Sequence, residues 1–330
     1  MHLSMLPVSQ EVPVLPACWY LACSSRALEP GGIVTLPLLD HDIVVYRAAS
    51  GRVHAVHARC THMGTHLRSG AVAGEGLRCA MHHRIYQPEA CGRAVGNSCL
   101  RQRAYPVVER SGGVFVFAGE HATFDVPPVA DADDGVVVVT ARPQPLTTSW
   151  AALICNAFDI EHMQAVHHRS MKETPETVVV DRHLVELRYV STVTGAGVSD
   201  RIIKRLSDDT IRVTIRCWGG TLLTVRSQIG KLVNHLLLCL TPTPHGVTVT
   251  PMIAVPKGRI PAVAIMRAHC SRWLFLTFLK RDLDPLTAMQ LNLANAVAAA
   301  GPLGICAEWL TQLPEASVAP PRALTVTSAV

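Results

Sequence analysis

Short hydrophobic runs separated by turn-forming residues fill the first third of the chain and predict β structure. Ile43–Arg47 and Val53–Val56 flank a Ser-Gly-Arg turn, a pattern typical of a β-hairpin. Tyr105–Glu109 and Val114–Phe117 flank a Ser-Gly-Gly turn in the same way. We therefore predict an all-β domain over residues 15–121, followed by a linker rich in proline and aspartate.

The rest of the chain mixes strand-like and helix-like patterns, which predicts an α+β fold. Val136–Thr140 predicts a strand, and the segment from Trp150 to His168 predicts a helix. Further strands are predicted, several of them with the two-residue alternation of half-buried strands, at 177–191, 196–205, 210–218, 221–229, 232–241 and 246–255. A long helical region at 262–300 would pack across this antiparallel sheet. The second domain is thus expected at 122–313, with a poorly ordered tail at 314–330.

Composition agrees with a globular protein and disfavours several classes of partner. Hydrophobic residues make up 49% of the 330 residues, and the net charge is only +5 without blocks of like charge. Nucleic acids and acidic membranes are therefore disfavoured as partners. The start of the chain lacks a signal-peptide pattern, and the Ala-rich stretch at 294–310 is too interrupted to span a membrane. Eleven cysteines without a disulfide-type spacing indicate reduced thiols and a cytoplasmic protein.

Metal-binding side chains are concentrated at 156–167, Asn-Ala-Phe-Asp-Ile-Glu-His-Met-Gln-Ala-Val-His. Two neutral imidazoles with one carboxylate suit a ferrous iron that keeps positions open for dioxygen. On an ideal helix His162 and His167 diverge by roughly 140°, so the helix must end or distort if one ion is to bind both. Asp159 is expected beside the metal, with the third ligand from elsewhere in the chain. Ordinary surface or core positions are the alternative for both histidines.

A second group of candidate ligands lies in the predicted β domain. Cys60-Thr61-His62 and Cys79-Ala80-Met81-His82 each offer one thiolate and one imidazole. Structural zinc sites more often pair like ligands, so a [2Fe–2S] cluster with two sulfur and two nitrogen ligands fits better. Imidazole ligands lower the negative charge of such a cluster and raise its potential, which suits a relay to a catalytic iron. A zinc-binding or purely structural role is the alternative.

Together, these motifs resemble the oxygenase (alpha) component of the Rieske non-haem iron oxygenases. The chain has the family's two Cys/His pairs and its Asn/Asp/His/His motif in the same order, as Cys60-x-His62, Cys79-x₂-His82 and Asn156-x₂-Asp159-x₂-His162-x₄-His167. The opening Trp19–Ser24, with Pro30-Gly31 after it, is similar to the start of the family's Rieske domain. Among the branches, single-chain oxygenases of amino-aromatic, tetrapyrrole or sterol substrates look most similar.

The resemblance implies that Cys60 and Cys79 bind one iron of the cluster and that His62 and His82 bind the other. The chain departs from the family at one point, because His83-Arg84 follow His82 where the family usually has Gly-Trp. His83 could compete as a ligand, but it would change the spacing to Cys-x₃-His, so His82 is preferred. The loss of Gly-Trp would alter how this loop packs on a neighbour or reductase.

The resemblance also implies that His162 and His167 bind the mononuclear iron within a helix-grip catalytic domain. Asp159 would link this iron to a Rieske histidine of the neighbouring subunit, and Asn156 would lie near the open iron positions. Such proteins form closed head-to-tail rings, which implies a homotrimer. The other histidines beside these motifs are expected to be ordinary polar or surface residues, namely His66 and His168.

The third iron ligand is expected to be a carboxylate in the late helical region, and two candidates lie there. Asp284 stands before Pro285, the arrangement that starts a helix, so its side chain would be needed as an N-cap. Asp282 has no such duty, and its setting looks more like that of the family's ligand. We therefore predict Asp282, with Asp284 and Glu161 in reserve, because a carboxylate must complete the triad.

The chain lacks the patterns needed to take electrons from a nicotinamide cofactor by itself. It has no Gly-x-Gly-x-x-Gly after a strand and no plant-type ferredoxin spacing, which implies a separate NAD(P)H reductase, a ferredoxin or both. The predicted function is hydroxylation, demethylation, N-oxygenation or desaturation of a lipophilic small molecule, aromatic ones included, with O₂. The rivals are a Rieske electron carrier fused to a ligand-binding domain without catalytic iron, and a zinc-binding interaction module.

Overall fold

The computed structural model describes residues 11–90, 92–131, 135–207, 210–258, 260–287 and 289–318. Within these ranges the chain divides into two compact units, each described separately below. The unit here called the front unit contains residues 22–109, 113–122 and 317–318. The unit here called the rear unit contains residues 11–21, 110–112 and 123–316.

Residues 19–117 contain short strands connected by tight turns. The strands are β1 (Trp19–Ser24), β2 (Ile33–Leu38), β3 (His41–Arg47), β4 (Val53–His57), β5 (Ala71–Ala73), β6 (Gly76–Arg78), β7 (Ile85–Gln87), β8 (Arg93–Ala94), β9 (Asn97–Arg101), β10 (Ala104–Tyr105), β11 (Val107–Arg110) and β12 (Gly113–Phe117). They form sheets in the orders β10-β4-β3-β2, β5-β6-β7-β8-β9 and β1-β12-β11. Short 3₁₀ turns lie at Ser25–Ala27, Leu67–Ser69 and Pro88–Ala90.

The predicted hairpin around residue 50 is present and supplies the core of the front unit. Strands β3 and β4 pair antiparallel, with Val44 opposite Val56. Both valines are fully buried and pack in one cluster with Leu77 and Tyr86, which belong to the other sheet. The alternating apolar positions of the two sheets therefore face a shared core, as expected for half-buried strands.

The rear unit is built on a broad antiparallel sheet with helices. Its strands are β13 (Val136–Thr140), β14 (Gln144–Leu146), β15 (Arg169–Met171), β16 (Glu176–Asp181), β17 (Leu184–Val193), β18 (Ile211–Trp218), β19 (Leu222–Ile229), β20 (Leu232–Thr243) and β21 (Gly246–Pro256). The sheet order is β13-β21-β20-β19-β18-β17-β15, with β14 paired to β21 and β16 to β17. The helices are α1 (Trp150–Phe158), α2 (Ile160–Ala165), α3 (Val198–Ser207), α4 (Pro261–Thr287), α5 (Leu293–Ala298) and α6 (Pro302–Thr311).

One face of this sheet packs against helices to form the core of the rear unit. Ile154 and Phe158 of α1 and Trp309 of α6 join one cluster with Leu187 of β17 and Ile215 of β18. All five side chains are almost completely removed from solvent. Burial of such side chains stabilises the fold by about 1.5–3 kcal/mol each, so this layer anchors α1 and the motif that follows it.

The predicted strand at 196–205 is wrong, because residues 198–207 form helix α3. Val198, Ile202 and Leu206 recur every four residues, which is a helical rather than a strand period. Asp200 lies in the first turn, and Lys204 and Arg205 lie in the last, which agrees with the direction of the helix dipole.

Two predicted helices are interrupted where single helices were expected. The segment 150–168 divides into α1 and α2, because Asp159 leaves the helical conformation with φ −84° and ψ 107°. The region 262–300 contains two helices, because α4 ends at Thr287 and α5 begins at Leu293. The expectation that Pro285 starts a helix is also wrong: it lies in the last turn of α4, where its missing N–H removes only one hydrogen bond.

Residues 314–318, which the sequence placed in a loose tail, are held by backbone hydrogen bonds. The backbone N–H of Ala17 donates to the Pro314 carbonyl at 2.8 Å, and that of Ala316 donates to the Leu15 carbonyl at 2.7 Å. Residues 319–330 lie outside the described part of the chain. Among the described residues, no helix is both long enough and apolar enough to cross a membrane.

Candidate metal centres

The two Cys/His motifs of the front unit lie on two tight loops after strands β4 and β6. In the first loop, the Gly64 N–H donates to the Cys60 carbonyl at 2.8 Å, and the Cys60 N–H donates to the Thr65 carbonyl at 2.9 Å. In the second, the His83 N–H donates to the Cys79 carbonyl at 3.0 Å, and the Cys79 N–H donates to the Arg84 carbonyl at 2.8 Å. Each loop is thus closed by its own backbone, which fixes the ligand positions locally.

The four predicted ligands of the cluster combine buried sulfurs with more exposed imidazoles. Cys60 and Cys79 are 4% and 1% exposed and have free thiols. The rings of His62 and His82 approach edge to face, with centroids 4.6 Å apart. No three donor atoms of these four described residues lie within 4.8 Å of one another. That spread fits a two-iron cluster better than a single ion. The buried His62 Nδ1 has no hydrogen-bond partner, and a bond to an iron of the cluster would satisfy it.

A buried tyrosine lies beside one of these sulfurs. The Tyr86 Oη is 3.1 Å from the Cys60 Sγ, and the Thr61 hydroxyl donates to the same Oη at 3.4 Å. Burial raises the pKa of Tyr86 to about 12, so its hydroxyl keeps its proton at neutral pH. The protonated hydroxyl can therefore donate to a metal-bound thiolate. This contact could not be predicted from the sequence, because Tyr86 is remote from Cys60 along the chain.

The structure gives a physical reason for the glycine that the family usually has after the second loop. His83 adopts a left-handed backbone conformation with φ +53°, which glycine tolerates best but histidine also visits. His66, expected to be an ordinary polar residue, accepts a hydrogen bond from the Arg68 N–H, and its Nε2 lies 3.2 Å from an oxygen of Asp42. These contacts orient His66 within its own loop.

In the rear unit, a helix break brings His162 and His167 together. The Asp159 carboxylate accepts hydrogen bonds from the Glu161 and His162 N–H groups at 2.9 and 3.1 Å, so it caps helix α2. Helix α2 ends at Ala165, and His167 therefore leaves the helical path before the next strand. The distortion that one shared ion would require is present, and the two Nε2 atoms are 3.1 Å apart.

The carboxylate of Asp282 completes a compact donor set with these two imidazoles. Its Oδ1 lies 2.8 Å from the His162 Nε2 and 2.8 Å from the His167 Nε2. Neighbouring octahedral ligands about 2.1 Å from an ion lie about 3 Å apart, which matches this spacing. His167 is fully buried and Asp282 is 4% exposed. The donor set therefore fits a single ferrous ion.

Protonation states at this site also suit a divalent ion. Burial lowers the pKa of His167, although the neighbouring Asp282 carboxylate opposes that shift. Burial by itself would raise the pKa of Asp282, but hydrogen bonds from His162 and His167 outweigh it and hold the pKa below its ordinary value. Near neutral pH, His167 is thus a neutral donor and Asp282 is ionised, as metal ligands must be.

The structure separates Asp282 from the reserve candidates. Glu161 lies in the first turn of α2 on the exposed side, and the side chain of Asp284 lies outside the described part of the structure. The Asn156 Nδ2 lies 3.3 Å from the His162 Nε2, beside the donor set where it was expected. His168 adopts φ +54° and its carbonyl accepts from the Thr194 N–H, so it forms the turn after His167.

Sequence reasoning missed an aromatic neighbour of the donor set. The Phe278 ring stacks on the His167 imidazole, with centroids 3.6 Å apart and planes 8° from parallel. Phe278 lies four residues before Asp282, and therefore on the same face of helix α4. That spacing was the available signal, but many aromatic residues in helices only fill a core. Among the described residues, the rings next to the His167 imidazole are those of Phe278 and His162. The stack with Phe278 therefore fixes the plane of the His167 imidazole.

A cavity of about 220 Å³ opens beside the donor set within the rear unit. Its wall is mainly aliphatic and aromatic, and includes Leu153, Ile215, Leu238 and Phe275. Of the donor set, Asp282 reaches its surface, and Asn156 does so beside it. Such a cavity suits a small apolar molecule held next to a reactive centre.

Comparison with known proteins identifies the domain at the front of the chain and several relatives of the chain. Residues 18–110 match the family model of the Rieske [2Fe-2S] domain, which implies a [2Fe–2S] cluster. The chain is 25% identical over 280 residues to aminopyrrolnitrin oxygenase PrnD of Pseudomonas fluorescens, covering 72% of this chain and 74% of that protein. It is 30% identical over 166 residues to cholesterol 7-desaturase nvd of Xenopus laevis, covering 47% of this chain. The chain spans about a third of the length of some relatives, this desaturase among them.

Comparison of folds extends the match over nearly the whole chain. The crystal structure of dicamba monooxygenase bound to dicamba superposes with a TM-score of 0.66 at 18% identity, covering 92% of this chain and 96% of that one. At 18% identity, this structural similarity supports the fold alone. It confirms the predicted fold class, an all-β Rieske domain followed by a sheet with C-terminal helices.

Proposed function

We propose that this chain, which belongs to the alpha components of the Rieske non-haem iron oxygenases, uses O₂ to oxidise an uncharged, lipophilic small molecule. The reactions in question are hydroxylation, demethylation, N-oxygenation and desaturation. One observation carries the proposal: the donor atoms of His162, His167 and Asp282 converge within about 3 Å of one another beside an apolar cavity.

The ligands proposed for the two metal groups are those that the sequence predicted. Ferrous iron bound by His162, His167 and Asp282 would supply the binding and activation of O₂. The chain's own contribution is to keep one face of the site open, to orient the imidazoles and to exclude water from the cavity. The residues of the front unit proposed to hold the cluster are Cys60, His62, Cys79 and His82.

Electrons are proposed to come from a separate NAD(P)H reductase, a ferredoxin or both. We propose a head-to-tail homotrimer, in which Asp159 receives a hydrogen bond from His82 of the partner subunit. Two observations support these roles. Asp159 lies at the helix break three residues before His162, and the side chain of His82 is exposed at the end of its loop. An exposed imidazole and a carboxylate next to a metal ligand are suited to join two subunits.

The charges around the cavity favour an uncharged substrate. Besides Asp282, the acidic and basic residues that line the described cavity are Arg169 and His235. The Arg169 guanidinium is already bound by the Asp200 carboxylate, at 3.3 Å. Burial lowers the pKa of His235, so its imidazole is neutral near pH 7. A carboxylate or ammonium group in the cavity would therefore lose its hydration without gaining a partner. One relative is named as a cholesterol 7-desaturase, and cholesterol is a lipophilic molecule, which supports a lipophilic substrate class here.

Nitric oxide is a suitable probe for the open iron face. After anaerobic loading with Fe(II), the wild-type protein is expected to give a ferrous–nitrosyl EPR signal, and His162→Ala is expected to give none. Naphthalene should change the wild-type signal by entering the cavity, whereas benzoate should not. If wild type gave no nitrosyl signal, the alternative of an electron carrier without catalytic iron would be favoured. A response to benzoate alone would contradict the proposal that the substrate is uncharged.

A further inference from the structure

A buried carboxylate in the rear unit binds two arginines that the sequence did not single out. Asp200, in the first turn of α3, is only 1% exposed. Its Oδ2 accepts a hydrogen bond from the Arg281 Nη2 at 2.7 Å, and its Oδ1 lies 3.4 Å from the Arg281 Nη1. Its Oδ1 also accepts from the Arg169 Nη1 at 3.3 Å. A carboxylate removed from water is tolerated here because both of its oxygens are paired.

The two arginines lie next to the proposed iron ligands along the chain. Arg169 begins strand β15, two residues after His167, and Arg281 directly precedes Asp282 in helix α4. The His162/His167 segment and helix α4 are remote in sequence, as the separation of 120 residues between His162 and Asp282 shows. Asp200 therefore bridges the two chain segments that must meet to form the donor set.

We infer that Arg169, Asp200 and Arg281 form a positioning brace, which sets the distance between the two histidines and Asp282 and so determines how tightly the rear unit binds iron. The inference rests on the proposed iron site. None of the three residues is itself a metal ligand. They act through their neighbours, because an ionic bridge with defined geometry restrains the backbone on both sides.

Packing around the brace supports a precise position for Asp200. A Cβ built on Gly195 would collide with the Asp200 carboxylate, so only glycine leaves the room that this side chain occupies. The Arg169 guanidinium lies 5.9 Å from the centroid of Phe278, whose ring stacks on the His167 imidazole. Arg169 is thus linked to His167 in a second way, through the Phe278 ring.

The rear unit offers a matched control for loss of a buried ion pair. Glu186, on β17, is also almost fully buried and is bound by two arginines, Arg188 and Arg216. None of these three residues adjoins a proposed iron ligand in sequence. Glu186→Gln should therefore destabilise the rear unit in the same way as Asp200→Asn, but without changing the iron site.

The test measures Fe(II) affinity anaerobically, by titration with the nitrosyl EPR signal as readout. Asp200→Asn is expected to weaken Fe(II) binding about 10–100-fold, as loss of a residue that orients metal ligands typically does. Gly195→Ala, which displaces Asp200 without changing any charge, should weaken it in the same direction. Glu186→Gln should bind Fe(II) as wild type does. The visible spectrum of the cluster should be unchanged in all three variants.

A second readout needs no iron in the rear unit. In protein stripped of that iron, hydrogen exchange at residues 167–171 and 278–282 is expected to accelerate in Asp200→Asn and not in Glu186→Gln. This comparison tests the brace even if wild type binds no third iron, an outcome that would remove the proposed function instead. Unchanged exchange in Asp200→Asn, wild-type Fe(II) affinity in Asp200→Asn, or an equal loss of affinity in Glu186→Gln would each overturn the brace.

Discussion

The two candidate metal centres of this chain are assembled in opposite ways. In the front unit, all four proposed ligands lie between Cys60 and His82, on two loops that their own backbone hydrogen bonds close. In the rear unit, the donor set requires a contact between side chains 120 residues apart. A local site can be recognised from spacing alone, whereas the second site depends on the packing of a helix.

The difference extends to what surrounds the ligands. The front ligands are supported by nearby groups, such as the Tyr86 hydroxyl beside the Cys60 sulfur. The rear ligands are supported by the helix cap at Asp159, by the Phe278 ring and by an ionic bridge through Asp200. We expect each site to fail separately, because these supports belong to separate parts of the chain.

The largest expected effect is loss of the whole cluster in Cys79→Ala. Metal binding by such a loop contributes directly to folding, so the front unit should also lose stability. The visible absorption and the EPR signal of the reduced cluster should disappear, while Fe(II) binding by the rear unit remains. Cys306→Ala, which removes a buried free thiol of the rear unit, should keep the cluster. Loss of the rear iron in Cys79→Ala would contradict separate sites.

Asp159→Asn tests whether the rear site receives electrons through this residue. Asparagine caps a helix as well as aspartate does, so α2 and the position of His162 should be retained. We expect all irons to remain and reoxidation of the reduced cluster by O₂ with substrate to slow about 10–100-fold. Asp159→Ala should slow it at least as much and also lose about 1 kcal/mol of helix capping. Stopped-flow absorbance that shows wild-type reoxidation in Asp159→Asn would exclude Asp159 from the electron path.

Phe278→Leu tests the support that the rear site receives from helix α4. Loss of the ring stacked on His167 frees the imidazole to rotate, and Fe(II) affinity should fall about tenfold. Trp273→Leu is the matched control, because it removes an aromatic ring from the same helix at a position that is 51% exposed. Equal Fe(II) affinities in the two variants, measured by anaerobic titration, would mean that the stack does not position His167.

The smallest expected effect concerns the potential of the front cluster. Tyr86→Phe removes a hydrogen bond to the Cys60 sulfur, and a bond worth about 1 kcal/mol corresponds to about 40 mV in a one-electron couple. The potential should fall by that amount, because the hydroxyl stabilises the more negative reduced state. Tyr105→Phe, whose hydroxyl donates to the Val318 carbonyl instead, should leave the potential unchanged. A fall of the same size in Tyr105→Phe would show that the effect is not specific to the sulfur.

The contrast between the sites also explains what could be predicted from the sequence. The Cys/His loops, the β3–β4 hairpin and the strand at Val136–Thr140 depend on neighbouring residues, and the structure has them where they were predicted. The choice of Asp282 over Asp284 rests on the resemblance to a family, because the other argument, an N-cap role for Asp284, is wrong: Pro285 lies inside helix α4.

The brace lay beyond sequence reasoning for a specific reason. The prediction for 196–205 is a strand, whereas Asp200 lies in helix α3. Its pairing with Arg169 and Arg281 arises only when α3, β15 and α4 meet. Buried ion pairs between remote elements leave no periodic signal along the chain, so this contact could be found only from the structure.

The most direct test of two independent iron sites is the ratio of iron to acid-labile sulfide after anaerobic reconstitution. Wild type should contain about three irons for two sulfides, and His162→Ala about two irons for two sulfides with the cluster spectrum intact. A wild-type ratio of about one iron per sulfide, with no Fe(II) bound by His162, His167 and Asp282, would contradict the account.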